Sequence, residues 1–287
     1  MKLSRGEKIF QVFNYILLTL VAIATLYPVI YVLSASISAG DAVTSGRVVL
    51  FPIDITFDAY QAVFNEESIW LGYRNTIFYT LVGTLVNLLV TIAGAYPLSK
   101  KDLPGRKYIN IFVIITMWLN AGIIPFYLNL RELNLLDLRI TIIIAFACST
   151  FNLILLRTFF QSIPKSLEEA AKVDGASDFY VLVRLFLPLS KPAIATIGLF
   201  YAISRWNGYF WAMIIFRDSS KVPLQVILKK MIVEMTYLTE NMDLGVNMSL
   251  ESFIYTTIMV SIIPMMIIYP FIQKYFTKGM MVGAIKG

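Results

Sequence analysis

The sequence predicts an all-α membrane protein with six transmembrane helices and both termini cytoplasmic. Three observations carry this expectation. Apolar residues make up 58% of the 287 positions and charged residues 15%, against about 45–50% and 25% in a soluble domain. Mean hydropathy is +0.72, more apolar mass than one water-soluble core can hold. Six stretches are each long and apolar enough to cross a bilayer, which takes about 20 helical residues.

Those stretches run roughly over 10–34, 75–98, 109–128, 140–159, 192–216 and 253–276. The first has too long an apolar core for a cleavable signal peptide, and Tyr27, Pro28 and Tyr31 stand where small residues would mark a cleavage site. Orientation follows from the basic residues. With the N-terminus inside, the inner segments 1–9, 99–108, 157–191 and 274–287 carry 15 Lys and Arg, and the outer segments 35–74, 129–139 and 217–251 carry 8. Arg205 lies inside the fifth span. The net charge of +6 is read as this inner-loop bias, with no role for nucleic acid. The whole chain is expected to form a single transmembrane domain, 1–287, with an inner loop at 160–191 and a tail at 277–287.

Several chemistries drop out. Histidine is absent and Cys148 is the only cysteine, so no Ser-His-Asp site, no imidazole metal site and no intrachain disulfide is available. No metal site is expected. No G-x-x-x-x-G-K-[ST] loop is present, so this chain is not expected to bind or hydrolyse ATP itself, to hold a cofactor or to be an enzyme. No span carries an acid well inside it, which disfavours a membrane-embedded enzyme and an ion-coupled secondary transporter working alone; the latter stays as the alternative. Gly83, Gly94 and Gly198 fall within spans, where glycines serve close packing.

The long inner loop needs a reason. Ser166 followed by Glu169 reads as a capping box, so a helix is expected from Leu167. Gly175 suits the left-handed residue that ends it. Ser177 or Asp178 can cap a second helix with Phe179 and Leu182 facing inward, and Pro188 closes the loop. The first helix, about 10 Å long, places Leu167, Ala170 and Ala171 on one face, with Glu168, Glu169 and Lys172 around it. A face of small side chains lets another surface come close to the backbone, which suits docking into a protein groove. A surface helix lying on the membrane would instead want basic and aromatic faces, and paired glutamates suit an anionic leaflet poorly.

These residues resemble a known family. Glu169-Ala170-Ala171, Asp174-Gly175-Ala176 and Leu187-Pro188, with glycine six residues after the glutamate and proline thirteen after the glycine, are similar to the EAA loop of ABC importer permeases. The C-terminal stretch 278–287, Arg205-Trp206-Asn207 and Ile124-Pro125-Phe126-Tyr127 resemble the carbohydrate branch, the MalG-like permeases. The resemblance covers essentially the whole chain. It implies the MetI-like, type I importer fold in a bacterial inner or plasma membrane. It implies a second, MalF-like permease, two ATP-binding cassette ATPases that bind the ATP and Mg, an extracytoplasmic sugar-binding protein, and a sugar substrate, an oligosaccharide rather than a monosaccharide. Leu167, Glu168, Glu169, Ala170, Ala171, Asp174, Gly175 and Pro188 become candidates for coupling to an ATPase. In this branch the tail also reaches the ATPase, which adds Gly279, Gly283, Ala284, Lys286 and Gly287; the plain alternative is a solvated terminus.

A substrate path is sought where charge and aromatic faces meet. Arg205, near the middle of the fifth span, is costly there unless it serves a cavity. Trp206, Asn207, Tyr209 and Trp211 follow it; rings stack on sugar C–H faces and amides bond hydroxyls. Asn207-Gly208 suggests a local break of the kind that exposes backbone to substrate, and an arginine would suit a uronic acid. The alternative is that Arg205 pairs with a carboxylate or carbonyl and the tryptophans pack. The resemblance implies that much of the sugar is held by the partner permease. Trp118, Asn120 and Tyr127 in the third span are further candidates. Outside, Pro223 opens a helix whose Leu224, Ile227, Leu228, Met231, Ile232 and Met235 share one face. Its loop, with Glu240, Asn241 and Asp243, resembles the place where this branch touches its binding protein, the plain alternative being a lid; the first outer loop, with an ordered turn at Asp54–Asp58, is a candidate for the same role.

Overall fold

The structure, a computed structural model, describes residues 4–119, 121–241 and 250–284. Among them the chain is helical, with no strand; a lone bridge pairs Ser38 with Ile55. In order the helices are α1 (Arg5–Ser36), α2 (Gly40–Thr44), α3 (Asp58–Asn65), α4 (Glu67–Ser99), α5 (Arg106–Trp118), α6 (Ile123–Glu132), α7 (Arg139–Ile144), α8 (Thr150–Ser162), α9 (Lys165–Val173) and α10 (Asp178–Val181). A π-helical turn (Leu182–Phe186) leads into α11 (Leu187–Leu189), then α12 (Lys191–Trp206), α13 (Phe210–Ile215), α14 (Leu224–Asn241) and α15 (Leu250–Ala284).

Three helical segments are long and apolar enough to cross a membrane singly: Gly6–Ser36, Glu67–Ser99 and Leu250–Ile267. They correspond to the first, second and sixth expected spans. The three middle stretches are interrupted; the sequence reading offered Asn120-Ala121-Gly122 as a loosening of the third and Asn207-Gly208 as a break in the fifth, and did not foresee the interruption of the fourth. The third divides into α5 and α6, with Gly122 at φ +85° before α6. The fourth divides between α7 and α8, where Ser149 caps α8 by accepting from the Asn152 N–H. The fifth breaks after Trp206, at the Asn207-Gly208 pair where a break was expected. The C-terminal helix also runs further than the expected span, its backbone remaining helical to Ala284; glycines at 279 and 283 weaken a helix by only about 1 kcal/mol each.

The chain forms two compact units: residues up to Trp70 together with Leu228–Met265, and Leu71–Ile227 together with the residues from Met266. In the first unit, α1 opens on a capping box that the sequence reading missed. The Ser4 N–H donates to Glu7 Oε2 at 2.6 Å and the Glu7 N–H to Ser4 Oγ at 3.2 Å. Beyond it Phe10, Phe13, Leu18 and Ile23 are all more than half exposed. A helix apolar on its uncovered faces suits lipid, since its backbone is satisfied internally. Its far end is held by polar contacts: Thr256 Oγ1 donates to the Ser36 carbonyl at 3.0 Å, and Tyr31 meets Tyr255 edge-on at 5.5 Å. The expected turn is present, with Asp54 at φ +51° and α3 starting at Asp58.

In the second unit α4 is the organising rod. Gly83 and Gly94 let neighbours close in, as expected, and so does Gly72, which was not among the expected packing glycines. A Cβ at Gly72, Gly83 or Gly94 would stand 2.6 Å from Ile227 Cδ1, 2.9 Å from Arg205 Nε and 2.9 Å from Leu153 Cδ1 respectively; at Gly198, the third that was expected, it would stand 3.3 Å from Leu88 Cδ1. Asn75 donates to the carbonyls of Ser220 and Val222, both at 2.9 Å, and Thr76 Oγ1 accepts from the Leu224 N–H at 2.9 Å. These bonds seat the start of α14, where Leu224, Ile227 and Leu228 are buried as the periodicity predicted, together with Val226, which it did not include. Beside them Asp137, at φ +58°, accepts from the N–H groups of Arg217 and Asp218 and pairs with Lys221 Nζ at 3.0 Å. Lys221 and those N–H bonds hold the Asp137 carboxyl below the usual carboxylate range.

Candidate functional site

The inner loop begins where Pro164, extended and without a side-chain cap, starts α9 at Lys165. The expected capping box between Ser166 and Glu169 is not formed. The helix begins two residues early, off Pro164, so Ser166 lies inside the first turn and cannot cap it. The end of α9 is as expected: Gly175 sits at φ +81°. Its N–H donates to the Lys172 carbonyl and the Ala176 N–H to the Ala171 carbonyl, both at 3.0 Å, a Schellman ending. Ser177 rather than Asp178 caps α10.

The faces of α9 differ from expectation in one respect. Leu167, Glu169, Ala170, Val173, Asp174 and Gly175 are exposed, but Ala171 turns inward and packs on a buried cluster. Glu168 turns inward as well. It forms an ion pair with Lys100 Nζ at 2.7 Å, the two side chains being 16% and 20% exposed. Lys172 bridges Glu168 at 3.5 Å and Asp178 at 3.2 Å, and Asp178 foremost raises the Lys172 pKa. Lys100 Nζ also stands 4.2 Å above the Tyr96 ring and 4.1 Å above Phe186, contacts worth about 1–2 kcal/mol when shielded from water.

Below lies a core of Ala95, Tyr96, Leu156, Phe160, Val181, Phe186, Ala193, Ile197 and Tyr201. Tyr96, Phe160 and Phe186 meet edge-to-face in all three pairs, at 5.1–6.3 Å, and Tyr96 Oη donates to the Asp178 carbonyl at 3.1 Å. The inward residues after Ser177 are therefore Val181 and Phe186. Leu182 is partly buried against this core, whereas Phe179, expected inside, is 75% exposed. Pro188 does not end the loop. It lies in α11, and the chain turns by 82° one residue later, between Leu189 and Lys191. Pro192 follows the turn early in α12, where the missing N–H costs nothing. Of the tail candidates, Gly279, Gly283 and Ala284 lie on α15; Lys286 and Gly287 are outside the described residues.

The second site is a cavity of about 700 Å³ where α12 breaks into α13. Its wall includes Ser149, Asn152, Tyr201, Asn207, Tyr209 and Trp211. Trp211 is fixed by Phe126 at 4.7 Å and Phe146 at 5.7 Å. A cavity of several hundred Å³ with rings, hydroxyls and amides matches the dimensions and chemistry of a small-ligand site.

Arg205 reaches this wall but spends its donors inside the chain. Nε donates to Asn87 Oδ1 at 3.0 Å, one terminal nitrogen to the Ile142 carbonyl, and the other to the carbonyls of Ile143 and Phe146 at 3.1 and 2.9 Å. These carbonyls lie at the end of α7, so the guanidinium caps that helix and accounts for the break before α8. Asn87 also donates to the Phe146 carbonyl. Trp206 is 6% exposed and packs against Tyr73 at 6.5 Å, away from the cavity wall. Trp118 is 82% exposed; neither it nor Tyr127 lines the cavity. Asn120 lies outside the described residues, as does Asp243. The sequence reading missed Asn87, Lys100 and Asp137. Two polar residues within spans, Asn87 and Arg205, carried a signal, because buried polar groups seek one another.

A helical membrane scaffold with an exposed peg on one loop and a largely apolar, ring-lined cavity that carries a few polar groups fits a transport subunit. The chain belongs to the family of binding-protein-dependent transport system inner membrane components, which matches residues 68–282. That bears out the family resemblance read from the EAA-type loop. It is 38% identical over 284 residues to the polygalacturonan/rhamnogalacturonan transport system permease protein YtcP of Bacillus subtilis (strain 168), covering 98% of this chain and 99% of the relative. Protein LplC of the same organism is 37% identical over 286 residues, covering 99% and 97%. Among solved structures, a chain from a bacterial ABC transporter involved in the import of the acidic polysaccharide alginate superposes with a TM-score of 0.88 at 49% identity, covering 96% of this chain and 99% of that one. The chain is accordingly a multi-pass permease component of a bacterial membrane.

Proposed function

We propose that this chain is one of two permease subunits of an ATP-binding cassette importer that carries oligosaccharides across the membrane. A second permease of similar fold completes the pathway. Two cytoplasmic ATPases supply ATP binding and hydrolysis, and an extracytoplasmic binding protein delivers the sugar. All six expected spans cross the bilayer, the middle three with breaks, and both termini lie inside.

The observation that carries this reading is α9. Its outer face, Leu167, Glu169, Ala170, Val173 and Asp174, is uncovered, while its inner face is locked onto a buried aromatic core. A short helix built to be both exposed and rigid suits a seat in another protein. ATP binding then shifts a two-state equilibrium by favouring one arrangement of the ATPases, and α9 passes that bias to the spans. In the cavity, Asn207, Tyr209 and Trp211 offer sugar contacts, while Arg205 serves as the brace that shapes the wall. The substrate class rests on the relatives. Two of them handle acidic polysaccharides by their names, so uronate oligosaccharides head the trial panel.

The test is reconstitution of the chain with its second permease, ATPases and binding protein in proteoliposomes. Uptake of oligouronates or neutral oligosaccharides should require ATP and the binding protein. ATP-independent uptake by this chain alone would overturn the reading in favour of a secondary transporter.

A further inference from the structure

We propose that Lys100 is the positioning residue that ties the coupling helix to the second span, and that it works as a caged cation rather than as a simple ion pair. This rests on the proposed function, since a coupling role needs a coupled partner.

Three pieces of chain meet at its ammonium. Lys100 follows the last residue of α4, so its position reports the end of that 33-residue rod. Glu168, its partner at 2.7 Å, is the charged group on the inner face of α9. Phe186, under it at 4.1 Å, belongs to the π-helical turn that leads to α12. Tyr96, at 4.2 Å, adds a ring from α4 itself. Lys172 stands 3.5 Å from the same Glu168 and 3.2 Å from Asp178, and Lys101, Asp102, Arg106, Lys165 and Glu169 border the same hollow. The peg is otherwise attached through Pro164 on one side and the left-handed Gly175 on the other. Beyond those two ends, its links inward are Ala171 and Glu168. A push on the outer face of α9 therefore reaches α4 by two links, the apolar packing of Ala171 on the core that holds Ala95 and Tyr96 and the charged link through Glu168 and Lys100, which alone among the described residues joins the end of α4 to α9 by an ion pair.

The cage makes a distinction that an ion pair alone would not. Ring faces attract a cation and repel an anion, because the π-quadrupole is negative over the face. Exchanging the two charges keeps an attraction between residues 100 and 168 but sets a carboxylate on two ring faces. Arginine at 100 keeps the cation and the stacking. Methionine keeps the packing and loses the charge.

The experiment uses the reconstituted complex and reads sugar moved per ATP hydrolysed. Lys100→Met and the exchange Lys100→Glu with Glu168→Lys should each assemble and hydrolyse ATP, with that ratio lowered about fivefold or more. Lys100→Arg should stay near the unmodified ratio. An unchanged ratio in Lys100→Met overturns the proposal, and full recovery in the exchange overturns the cage. If Lys100→Met does not assemble, Glu168→Gln is read the same way; if neither assembles while Lys100→Arg does, the residue serves folding and the proposal is wrong. An unmodified complex without ATP-driven uptake would sink the proposed function instead, so the two failures are distinguishable.

Discussion

Arg205 illustrates how a charge inside a span is decided by its neighbours. An isolated arginine at the bilayer centre is costly. Here Asn87 and three main-chain carbonyls take up the guanidinium, and Gly83 leaves the room it needs. Arg205→Met should therefore destabilise the protein by at least about 3 kcal/mol, because it leaves Asn87 and the end of α7 without their donor. Thermal unfolding in detergent would check this; unchanged stability together with altered sugar preference would make Arg205 a substrate ligand after all. A second residue-scale expectation concerns pH. Asp137 and Asp218 are held below the usual carboxylate range, by Lys221 and by main-chain and Ser220 donors. Their stabilising contribution is fully present above the unfolded value of 3.8 and is lost as pH falls through the lower folded values. Unfolding temperature should then be insensitive to this cluster between about pH 5 and 9 and fall below about pH 4, and Asp137→Asn should blunt that acid limb.

At the scale of the element, α9 separates into a face that builds and a face that docks. Ala170 is exposed and Ala171 packs inward, although they are adjacent and chemically identical. Ala170→Leu should leave membrane insertion and unfolding temperature unchanged while preventing ATPase assembly, checked by co-purification. Ala171→Leu should instead overpack the core and cost roughly 1–3 kcal/mol. Gly175→Ala meets no steric obstacle but must hold φ +81°, which costs about 1–2 kcal/mol. The helix, its glycine stop and the Ser177 cap were legible in the sequence because each depends on local chemistry. The inward turn of Glu168 was not, since its cause, Lys100, lies 68 positions earlier in the chain. The same holds for the false capping box: Ser166 and Glu169 have the right spacing, but Pro164 starts the helix before they can act.

For the whole molecule, apolar runs located the membrane helices, and three of them are present as long rods. They could not reveal the interruptions of the middle three, because a run of apolar residues looks the same whether one helix or two short ones bury it. The break between α7 and α8 involves a distant donor, Arg205, whereas those in the third and fifth stretches fall at local glycines, Gly122 and Gly208. The candidate cavity was partly readable: Asn207-Gly208 announced the break, but the supporting Ser149, Asn152 and Tyr201 come from segments that only the fold brings together. Tags placed before Ser4 and after Ala284 should both be shielded from protease in intact cells if the termini are inside. The central claim, that α9 seats in an ATPase, is tested most directly by cross-linking. In a Cys148→Ser background, Ala170→Cys should form a bond to a cysteine introduced in the ATPase of the assembled complex, and its yield should change when ATP is added. Absence of any cross-link from Ala170→Cys to cysteines placed across the membrane-facing surface of the ATPase, in a complex that still hydrolyses ATP and moves sugar, would contradict the account.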